Sequence, residues 1–346
     1  MRYRDAGVDI ARAEGLKQRL GQAVRSTWRT GVARLPEGFA GVMAFPAARA
    51  EGQALLAASM DGVGTKLHLA LAAGRVADAA GDLVYHGAND VFVHGASPLA
   101  FLDYIAQSRL DPEVVLAAVE GIARACRKVG AVLLGGETAE MPDTYLPGVL
   151  DVAGCMLGTV PEGGLLDGSA VRPGDAVLGL AAAGLHTNGY SLARAVLGRS
   201  GLGLDDLLPG GVGETLGEAL LAPHRWYGPA LGPALAERRV HALAHVTGGG
   251  IAGNLVRVLP AGCRARVHAS AWERPALVRW LVETGEVPED DARATLNLGI
   301  GMVVVCAPEE ADRLARDLER AGERVFPLGS VLAGERGVEW TEDSGP

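Results

Sequence analysis

The segment Ala54-Leu-Leu-Ala-Ala-Ser-Met60, followed directly by Asp61-Gly-Val-Gly-Thr-Lys66, joins an apolar, strand-like run to a glycine-rich turn. A helical stretch over 67–73 follows and ends at Gly74. A strand–loop–helix junction of this kind suits an anion, because free backbone N–H groups and the helix dipole point at it. The segment therefore predicts an α/β fold with a phosphate-binding loop at 61–66.

Strands and helices alternate on both sides of this junction. In the first half we predict helices over 76–90 and 112–129, and strands over 100–105, 131–134 and 149–160. The second of these helices has Asp111 as its N-cap and Pro112 at its first position. In the second half we predict strands over 176–180, 301–306 and 326–332, helices over 191–197 and 308–321, and a helix that carries Asn254 and Arg257.

A domain boundary is predicted between the halves. Residues 161–174 contain two prolines and four glycines and few apolar side chains, which is typical of a linker. With 346 residues, the chain is long enough for two domains. We predict an N-terminal domain at 1–165 and a C-terminal domain at 166–346, both of mixed α/β (α+β) type.

Composition narrows the class of function. The chain is 49% hydrophobic and 21% charged, with a net charge of −9 and no basic block, which argues against a nucleic-acid partner. No apolar stretch reaches the ~20 residues that a membrane span needs. The N-terminus lacks a secretory pattern, and the four scattered cysteines fit reduced thiols. These features predict a cytoplasmic protein that binds small molecules.

The loop at 61–66 is the first candidate site. Asp61 suits Mg²⁺, while Gly62, Gly64 and Thr65 let the backbone approach phosphate oxygens and Lys66 can neutralise them. The spacing is not that of a Walker A loop. The alternative is an ordinary strand–turn–helix with a solvated lysine.

Two further junctions carry carboxylates. Asp90, after Asn89, lies near a helix C-terminus, where the dipole disfavours an acid; a metal ion or simple exposure to solvent would explain it. Gly135-Gly-Glu-Thr138 follows the predicted buried strand and presents Glu137. Together with Asp61 these acids would form an oxygen-rich site that a hard cation prefers, although spacing alone does not show that they meet.

Two loops in the second half suit a second phosphate. His186, Thr187, Asn188 and Ser191 precede a helix, where hydroxyl, amide and N–H groups can hold an anion or merely cap the helix. The segment His245-Val-Thr247-Gly248-Gly-Gly250 is similar, and its histidine has the pKa range for proton transfer. A structural role for this histidine is the alternative.

The motifs taken together, and in this order, resemble the aminoimidazole ribonucleotide synthetase family of cyclo-ligases. The resemblance runs from Tyr3 to about Gly329 and rests on Ala6-Gly-Val-Asp-Ile10, Asp61-Gly-Val-Gly-Thr-Lys66, Asn89-Asp90, Phe101-Leu-Asp-Tyr104, Gly135-Gly-Glu-Thr-Ala-Glu-Met-Pro142, Asp151-Val-Ala-Gly154, His186-Thr-Asn-Gly-Tyr-Ser191, Thr247-Gly-Gly-Gly250 and Asn297-Leu-Gly-Ile-Gly-Met302. It implies two α/β domains and a homodimer whose N-terminal strands form a barrel-like core. It also implies ATP-dependent ring closure of formylglycinamidine ribonucleotide to 5-aminoimidazole ribonucleotide in purine biosynthesis.

The resemblance assigns roles to individual residues. It implies Mg²⁺ ligands at Asp61, Asp90 and Glu137, and catalytic roles for Lys66 and His245. ATP contacts are implied at Asp61, Gly62, Gly64, Thr65, Lys66, Asn89, Gly135, Gly136, Glu137 and Thr138. Substrate contacts are implied at His186, Thr187, Asn188, Ser191, Thr247 and Gly248.

The chain departs from the family pattern at several positions, namely Ala11-Arg-Ala13, Gly21, Met60, Ala182, Ala183 and Asp291-Ala292. Gly21 stands where a lysine is common, so an ATP contact is in doubt there, and Lys17 is a candidate substitute. Selenophosphate synthetase is disfavoured because no cysteine precedes Cys126. Thiamin-monophosphate kinase fits the motifs less well. A nucleotide-binding protein without turnover is the remaining alternative.

Overall fold

The computed structural model describes residues 41–44, 54–161 and 163–342. The motif Ala6–Ile10, the departures at 11–13 and Gly21, and the candidate Lys17 lie outside these residues. Within them, no helix is both long and apolar enough to cross a membrane.

The first sheet is built from five strands, β1 Gly41–Ala44, β2 Leu55–Gly62, β3 Ser97–Gln107, β4 Val132–Glu140 and β5 Leu150–Val160. Their order is β1-β2-β5-β3-β4, and the pairs are antiparallel except for the parallel pair β3–β4. Helices α1 Lys66–Ala72, α2 Val76–Phe92 and α3 Pro112–Val129 accompany it. Helix α2 packs on β2, β3 and β5, so one face of the sheet is buried.

Helix α3 matches its sequence prediction at both ends. The Asp111 side chain accepts hydrogen bonds from the backbone N–H groups of Glu113 and Val114, and Gly130 ends the helix in the left-handed conformation with φ +77°. Both features satisfy backbone groups that a helix terminus leaves unpaired.

Strand β4 differs from its prediction. The prediction of a short buried strand at 131–134 followed by a loop is wrong. Strand β4 runs from Val132 to Glu140, and most of its residues are exposed. The exposed apolar residues Val132 and Leu134 alternate along the strand, so they share one face, and no second layer covers that face among the described residues. Gly135, Gly136, Glu137 and Thr138 therefore belong to a strand rather than to a loop.

The second face of this sheet is open in the described protomer. Met60, Cys155 and Leu102 are register partners on β2, β5 and β3, so their side chains share one face. Met60 is 71% exposed and Leu134 on β4 is 65% exposed. With helices on one side only, the sheet forms a half-barrel.

The second sheet contains six strands, β6 Ala176–Ala181, β7 Ala242–His245, β8 Cys263–His268, β9 Ile300–Cys306, β10 Val325–Ala333 and β11 Gly337–Thr341. Their order is β11-β8-β10-β6-β9-β7, and only the pair β8–β11 is parallel among those described. The strand predicted at 326–332 corresponds to β10, and β11 follows it without having been predicted.

The helices of this half are α4 Tyr190–Ser200, α5 Leu216–Leu220, α6 Gly228–Ala236, α7 Gly250–Leu255, α8 Ala276–Gly285, α9 Glu289–Thr295 and α10 Pro308–Arg320, with 3₁₀ turns at Val256–Val258 and Ala269–Ala271. The prediction of a mixed α/β fold is confirmed, and the structure shows that its described strands form two sheets. The exact domain boundary at 165/166 stays a prediction.

Candidate functional site

One face of α2 meets loops of the second sheet. Asp82, His86, Asn89 and Asp90 recur at intervals of three and four residues, which places them on the same side of a helix. All four are buried, although polar side chains are rarely buried without partners. Most of their partners lie more than a hundred residues away, in the loop that follows β6, at the end of β7 and in the segment before α6.

Lys66 and Asp82 form a buried ion pair. The Lys66 Nζ atom lies 2.5 Å from Asp82 Oδ2, and it also donates to the carbonyl oxygens of His186 at 3.0 Å and Ala222 at 3.4 Å. Burial by itself would lower the pKa of Lys66, but Tyr190 and the Asp82 carboxylate raise it. Because Lys66 is 0% exposed, the alternative of a solvated lysine is wrong.

Asp90 is held by three donors. Its Oδ1 lies 2.8 Å from His245 Nδ1, and its Oδ2 accepts from Ser59 Oγ at 2.9 Å and lies 3.5 Å from His86 Nε2. Burial would raise the pKa of Asp90, but the charge of His86 and the hydrogen bond from His245 lower it. The alternative of a solvent-facing acid at the end of this helix is therefore wrong.

His86 is a site residue that the sequence analysis missed. Its Nε2 lies 2.9 Å from Asp61 Oδ2, and its Nδ1 lies 2.6 Å from Thr187 Oγ1. Burial would lower the pKa of His86, but the carboxylates of Asp90 and Asp61 raise it to about 10. The available signal was the spacing of His86 and Asp90, since residues four apart share a helix face.

Three more histidines extend from Asp90 in a chain of contacts that begins at His245. His245 Nε2 lies 3.0 Å from His224 Nε2, and the His224 ring stacks on that of His186 with centroids 4.0 Å apart. Burial lowers the pKa of all three, so they are neutral at pH 7. His245 therefore donates from Nδ1 to the Asp90 carboxylate and accepts at Nε2 from His224. His224 was also missed, because a lone histidine in sequence carries no signal of its neighbours.

The loops at 61–66 and 184–191 lie against each other. Thr65 Oγ1 is 3.2 Å from Ser191 Oγ, and His86 joins Asp61 to Thr187 as described above. The Asp61 side chain is 48% exposed, so its carboxylate faces the outside of this junction. The structure thus brings the predicted nucleotide loop and the predicted substrate loop together.

The loop at 247–250 is fastened by Asn254, which the sequence analysis placed on a helix without a role. The Asn254 Nδ2 atom donates to the Gly250 carbonyl at 2.7 Å, and Thr247 Oγ1 lies 3.2 Å from Asn254 Oδ1. A side chain at Gly248 would come within 3.4 Å of Asn188 Oδ1. Thr247 and Gly248 therefore adjoin the loop at 184–191.

Asn89 fastens the segment before α6. Its Nδ2 donates to the carbonyl oxygen of Arg225 at 2.8 Å, and its Oδ1 accepts from the N–H of Tyr227 at 3.3 Å. Both the nitrogen and the oxygen of the Asn89 amide are thus bound within the protein. The ATP contact of Asn89 stays a prediction.

Glu137 does not join Asp61 and Asp90 within the described protomer. Asp61, Gly154, Asp103 and Gly136 are successive register partners across β2, β5, β3 and β4. Neighbouring strands are about 4.8 Å apart, so Gly136 and Glu137 lie roughly 14 Å from Asp61. The expected meeting of the three acids in one protomer is therefore wrong, and the ATP contacts of Gly135 and Thr138 stay predictions.

Two departures from the family pattern lie beside His186. Ala182 and Ala183 line a cavity of about 280 Å³, and the Ala183 N–H donates to His186 Nε2 at 3.3 Å. His186 itself has a positive φ of 61°, which is uncommon for a residue with a side chain. The loop therefore holds this histidine in place through its backbone.

Comparisons with known proteins agree with this architecture. Residues 39–160 match the family described as AIR synthase related protein, N-terminal domain, and residues 172–341 match the corresponding C-terminal domain. A phosphoribosylformylglycinamidine cyclo-ligase of Sorangium cellulosum is 44% identical over 96% of this chain and 95% of its own. The chain belongs to the phosphoribosylformylglycinamidine cyclo-ligase family.

A second member of the cyclo-ligase family, the chloroplastic protein of Arabidopsis thaliana, is 42% identical over 97% of this chain and 82% of its own length. Similarity of this extent decides against the selenophosphate synthetase and thiamin-monophosphate kinase alternatives. The fold also resembles that of T. maritima PurL complexed with AMPPCP, with a TM-score of 0.56, 18% identity and coverage of 90% of this chain and 44% of that one.

Proposed function

We propose that this chain is an ATP-dependent cyclo-ligase that converts formylglycinamidine ribonucleotide to 5-aminoimidazole ribonucleotide, ADP and phosphate in purine biosynthesis. The observation that carries the proposal is its 44% identity to a named cyclo-ligase over nearly the whole of both chains. The geometry supports it, because the nucleotide loop at 61–66 and the substrate loop at 184–191 adjoin through Thr65 and Ser191.

The reaction needs both reactants in one place. The γ-phosphoryl group of ATP passes to the formyl amide oxygen and leaves ADP. The amide oxygen is a poor leaving group, but once phosphorylated it can depart as phosphate. The ring-forming nitrogen then attacks the same carbon, phosphate leaves with the oxygen, and the nitrogen loses a proton. Holding the two ends in one pocket makes the closure intramolecular, and adjoining loops provide such a pocket.

The loop at 61–66 is the proposed nucleotide site, together with Asn89 and the strand residues Gly135, Gly136, Glu137 and Thr138. The nucleotide complex of the PurL fold relative supports this assignment by analogy. Magnesium suits Asp61, whose carboxylate is exposed, since Mg²⁺ prefers oxygen ligands and keeps several waters. When bound, Mg²⁺ neutralises phosphate charge. Asp90 remains a proposed ligand of the same ion, although it already accepts from three donors.

The substrate phosphate is proposed to lie on the loop carrying Thr187, Asn188 and Ser191, with Thr247 and Gly248 beside it and His186 behind it. His245 is proposed as the base for ring closure. Its lowered pKa keeps it neutral, and its Nε2, which accepts a hydrogen bond from His224, would take up the proton by way of His224.

Lys66 stays a proposed catalytic residue, but the arrangement of its ammonium suggests an indirect contribution. All three of its donors are engaged by Asp82, His186 and Ala222. Its contact with the His186 carbonyl connects the nucleotide loop to the substrate loop, so we propose that it sets their relative position as well as the local charge.

The decisive experiment is ADP release by purified protein with ATP, Mg²⁺ and formylglycinamidine ribonucleotide. We expect substrate-dependent ADP in amounts equal to 5-aminoimidazole ribonucleotide, and a loss of about 10²-fold or more in Asp61→Asn, which removes a charge that acts on the transferring phosphate. Asp78→Asn is the matched control, because this half-buried acid on α2 pairs with Arg75 and Arg124.

Two outcomes would contradict the proposal. ATP binding without substrate-dependent ADP would favour the nucleotide-binding alternative. ADP formation without the aminoimidazole product would indicate a different acceptor for the phosphoryl group.

We also propose a homodimer that covers the open face of the half-barrel. Exposed Met60 and Leu102 flank Cys155 there, and apolar patches of this kind mark interfaces in soluble proteins. The combined substitution Met60→Glu with Leu102→Glu is expected to convert the dimer to a monomer in sedimentation equilibrium. Val212→Glu is the control, because Val212 is exposed on the other half of the chain. A monomeric unsubstituted protein would contradict this assignment.

A further inference from the structure

Residues 293–299 precede β9 and lie beside both proposed substrate loops. Strand β9 lies between β6 and β7 and is antiparallel to both, so these two strands end where β9 begins. The N–H of Ala182, directly after β6, donates to the Gly299 carbonyl oxygen at 2.8 Å. The N–H of Val246, directly after β7, donates to the Gly301 carbonyl oxygen at 3.0 Å. Both substrate loops therefore begin beside this segment.

Asn297 joins the segment to the first of these loops. The Asn297 Nδ2 atom donates to the carbonyl oxygen of Gly184 at 2.8 Å, and its Oδ1 accepts from the N–H of Gly299 at 2.9 Å. The second contact spans two residues, which is the geometry of an Asx turn and fixes the direction of the side chain. Asn297 is 5% exposed, and its contact with Gly184 joins residues that are 113 apart in the chain.

Two glycines of the loops press against the same segment. A Cβ atom at Gly189 would lie 2.7 Å from Cδ2 of Leu296, and one at Gly250 would lie 1.9 Å from the carbonyl oxygen of Arg293. Both glycines also have a positive φ, +81° and +64°, a conformation that glycine adopts without steric cost. Because contacts this close leave no gap, the segment 293–299 separates the two loops by a fixed distance.

This distance matters for a ligand that both loops contact. The proposed phosphate site takes hydroxyl and amide groups from the loop at 184–191, with Thr247 and Gly248 from the other loop. A displacement of about 1 Å can lower activity by roughly 10²-fold when it misplaces such groups. We propose that Asn297 is a positioning residue, which acts through Gly184 to hold the two loops at the distance that the phosphate of formylglycinamidine ribonucleotide requires. This role rests on the proposed function.

Two substitutions of Asn297 separate its two contacts. Asn297→Asp has nearly the same shape and keeps the acceptor for the Gly299 N–H, but it places an oxygen against the Gly184 carbonyl oxygen. Asn297→Ala removes both contacts. In steady-state ADP release, both should raise the KM for formylglycinamidine ribonucleotide about tenfold or more, since a buried hydrogen bond is lost. The KM for ATP should stay within about twofold and kcat within about threefold, as expected when binding alone is weakened.

Gln107→Glu is the matched control. Gln107 is also 5% exposed, lies on β3 in the first sheet, and accepts from the N–H of Asp111 at 2.9 Å. The substitution makes the same change from amide to carboxylate in a buried position without touching either substrate loop. We expect it to leave both KM values unchanged, while thermal unfolding compares its stability with that of Asn297→Asp.

Amide hydrogen exchange of the ligand-free proteins gives a measurement that does not depend on turnover. Asn297→Asp should speed exchange within 184–191, because this loop loses a contact, and should leave exchange in β3 as it is in the unsubstituted protein. Uniformly faster exchange along the chain would indicate general destabilisation and would overturn the positioning role.

The remaining outcomes separate this role from the ligase activity. With an active unsubstituted protein, an unchanged KM for the ribonucleotide in Asn297→Asp would overturn the positioning role alone. So would a rise confined to Asn297→Ala, which would assign the effect to the Asx turn, or an equal rise in Gln107→Glu. Absence of substrate-dependent ADP from the unsubstituted protein would overturn the proposed function, and the role of Asn297 with it.

Discussion

Lys66→Met is expected to lower the free energy of unfolding by about 3–5 kcal/mol, because it leaves the Asp82 carboxylate buried without its partner. Methionine has nearly the same length as lysine, so packing changes little while the charge disappears. The ammonium also satisfies the carbonyl oxygens of His186 and Ala222, and both lose a donor. Urea unfolding followed by circular dichroism measures the effect.

Substituting Asp82 as well separates the effect of the buried charge on stability from the effect of packing. In a double-mutant cycle, Lys66→Met combined with Asp82→Leu should recover much of the loss, since no buried charge is then left unpaired. Arg124→Met is the control, because Arg124 forms an exposed pair with Asp78 and such pairs contribute about 1 kcal/mol or less. A stability of Lys66→Met equal to that of the unsubstituted protein would mean that the ammonium is free for phosphate, as the sequence alone predicted.

Gly121→Ala is expected to destabilise the protein by about 3 kcal/mol, at the upper end of the usual range for overpacking. Helices α2 and α3 cross where Gly81 and Gly121 meet. A Cβ atom at Gly121 would lie only 1.9 Å from the carbonyl oxygen of Ala77. This oxygen belongs to the backbone of α2, which cannot move away without disturbing the helix. The helices must separate, so contacts along their whole interface are lost.

Gly198→Ala provides the matched control in guanidinium unfolding. Gly198 lies in helix α4 with nothing near the position of a new Cβ atom, so alanine should stabilise the helix by about 0.5–1 kcal/mol. Opposite signs for the two substitutions are the expected result. Equal effects would show that the close approach of α2 and α3 does not limit the size of residue 121.

Local pattern was sufficient for most of the fold. Helix α3 was predicted with its cap and its last residue, because capping and amphipathic spacing are encoded in neighbouring residues. The burial of strand β4 was predicted wrongly, because neighbouring residues do not encode whether a second layer covers a strand. Val132 and Leu134 have the composition of a buried strand, but no second layer covers the face that they share among the described residues.

The residues of the candidate site also fall into those that the sequence indicated and those that it did not. The motifs around Asp61, Asp90 and His245 indicated the site, because glycines, acids and histidines at loop junctions are visible in sequence. His224 and Asn254 had no such signal, and for His86 the only signal was its spacing to Asp90. Nothing in the sequence indicated that Lys66 pairs with Asp82. Glu137 carried the motif but lies three strands from Asp61, since register rather than spacing along the chain fixes that distance.

The sequence by itself determined the mixed α/β fold, the family and the loops that carry its chemistry, since these depend on local propensity and on ordered motifs. Only the tertiary structure decided which charges are buried, which histidines touch and which acids they contact. The pairs involved, such as His86 with Thr187 and Asp90 with His245, are separated by 101 and 155 residues. Whether such groups meet depends on how the two halves pack, and packing results from the sum of many weak contacts that no short segment encodes.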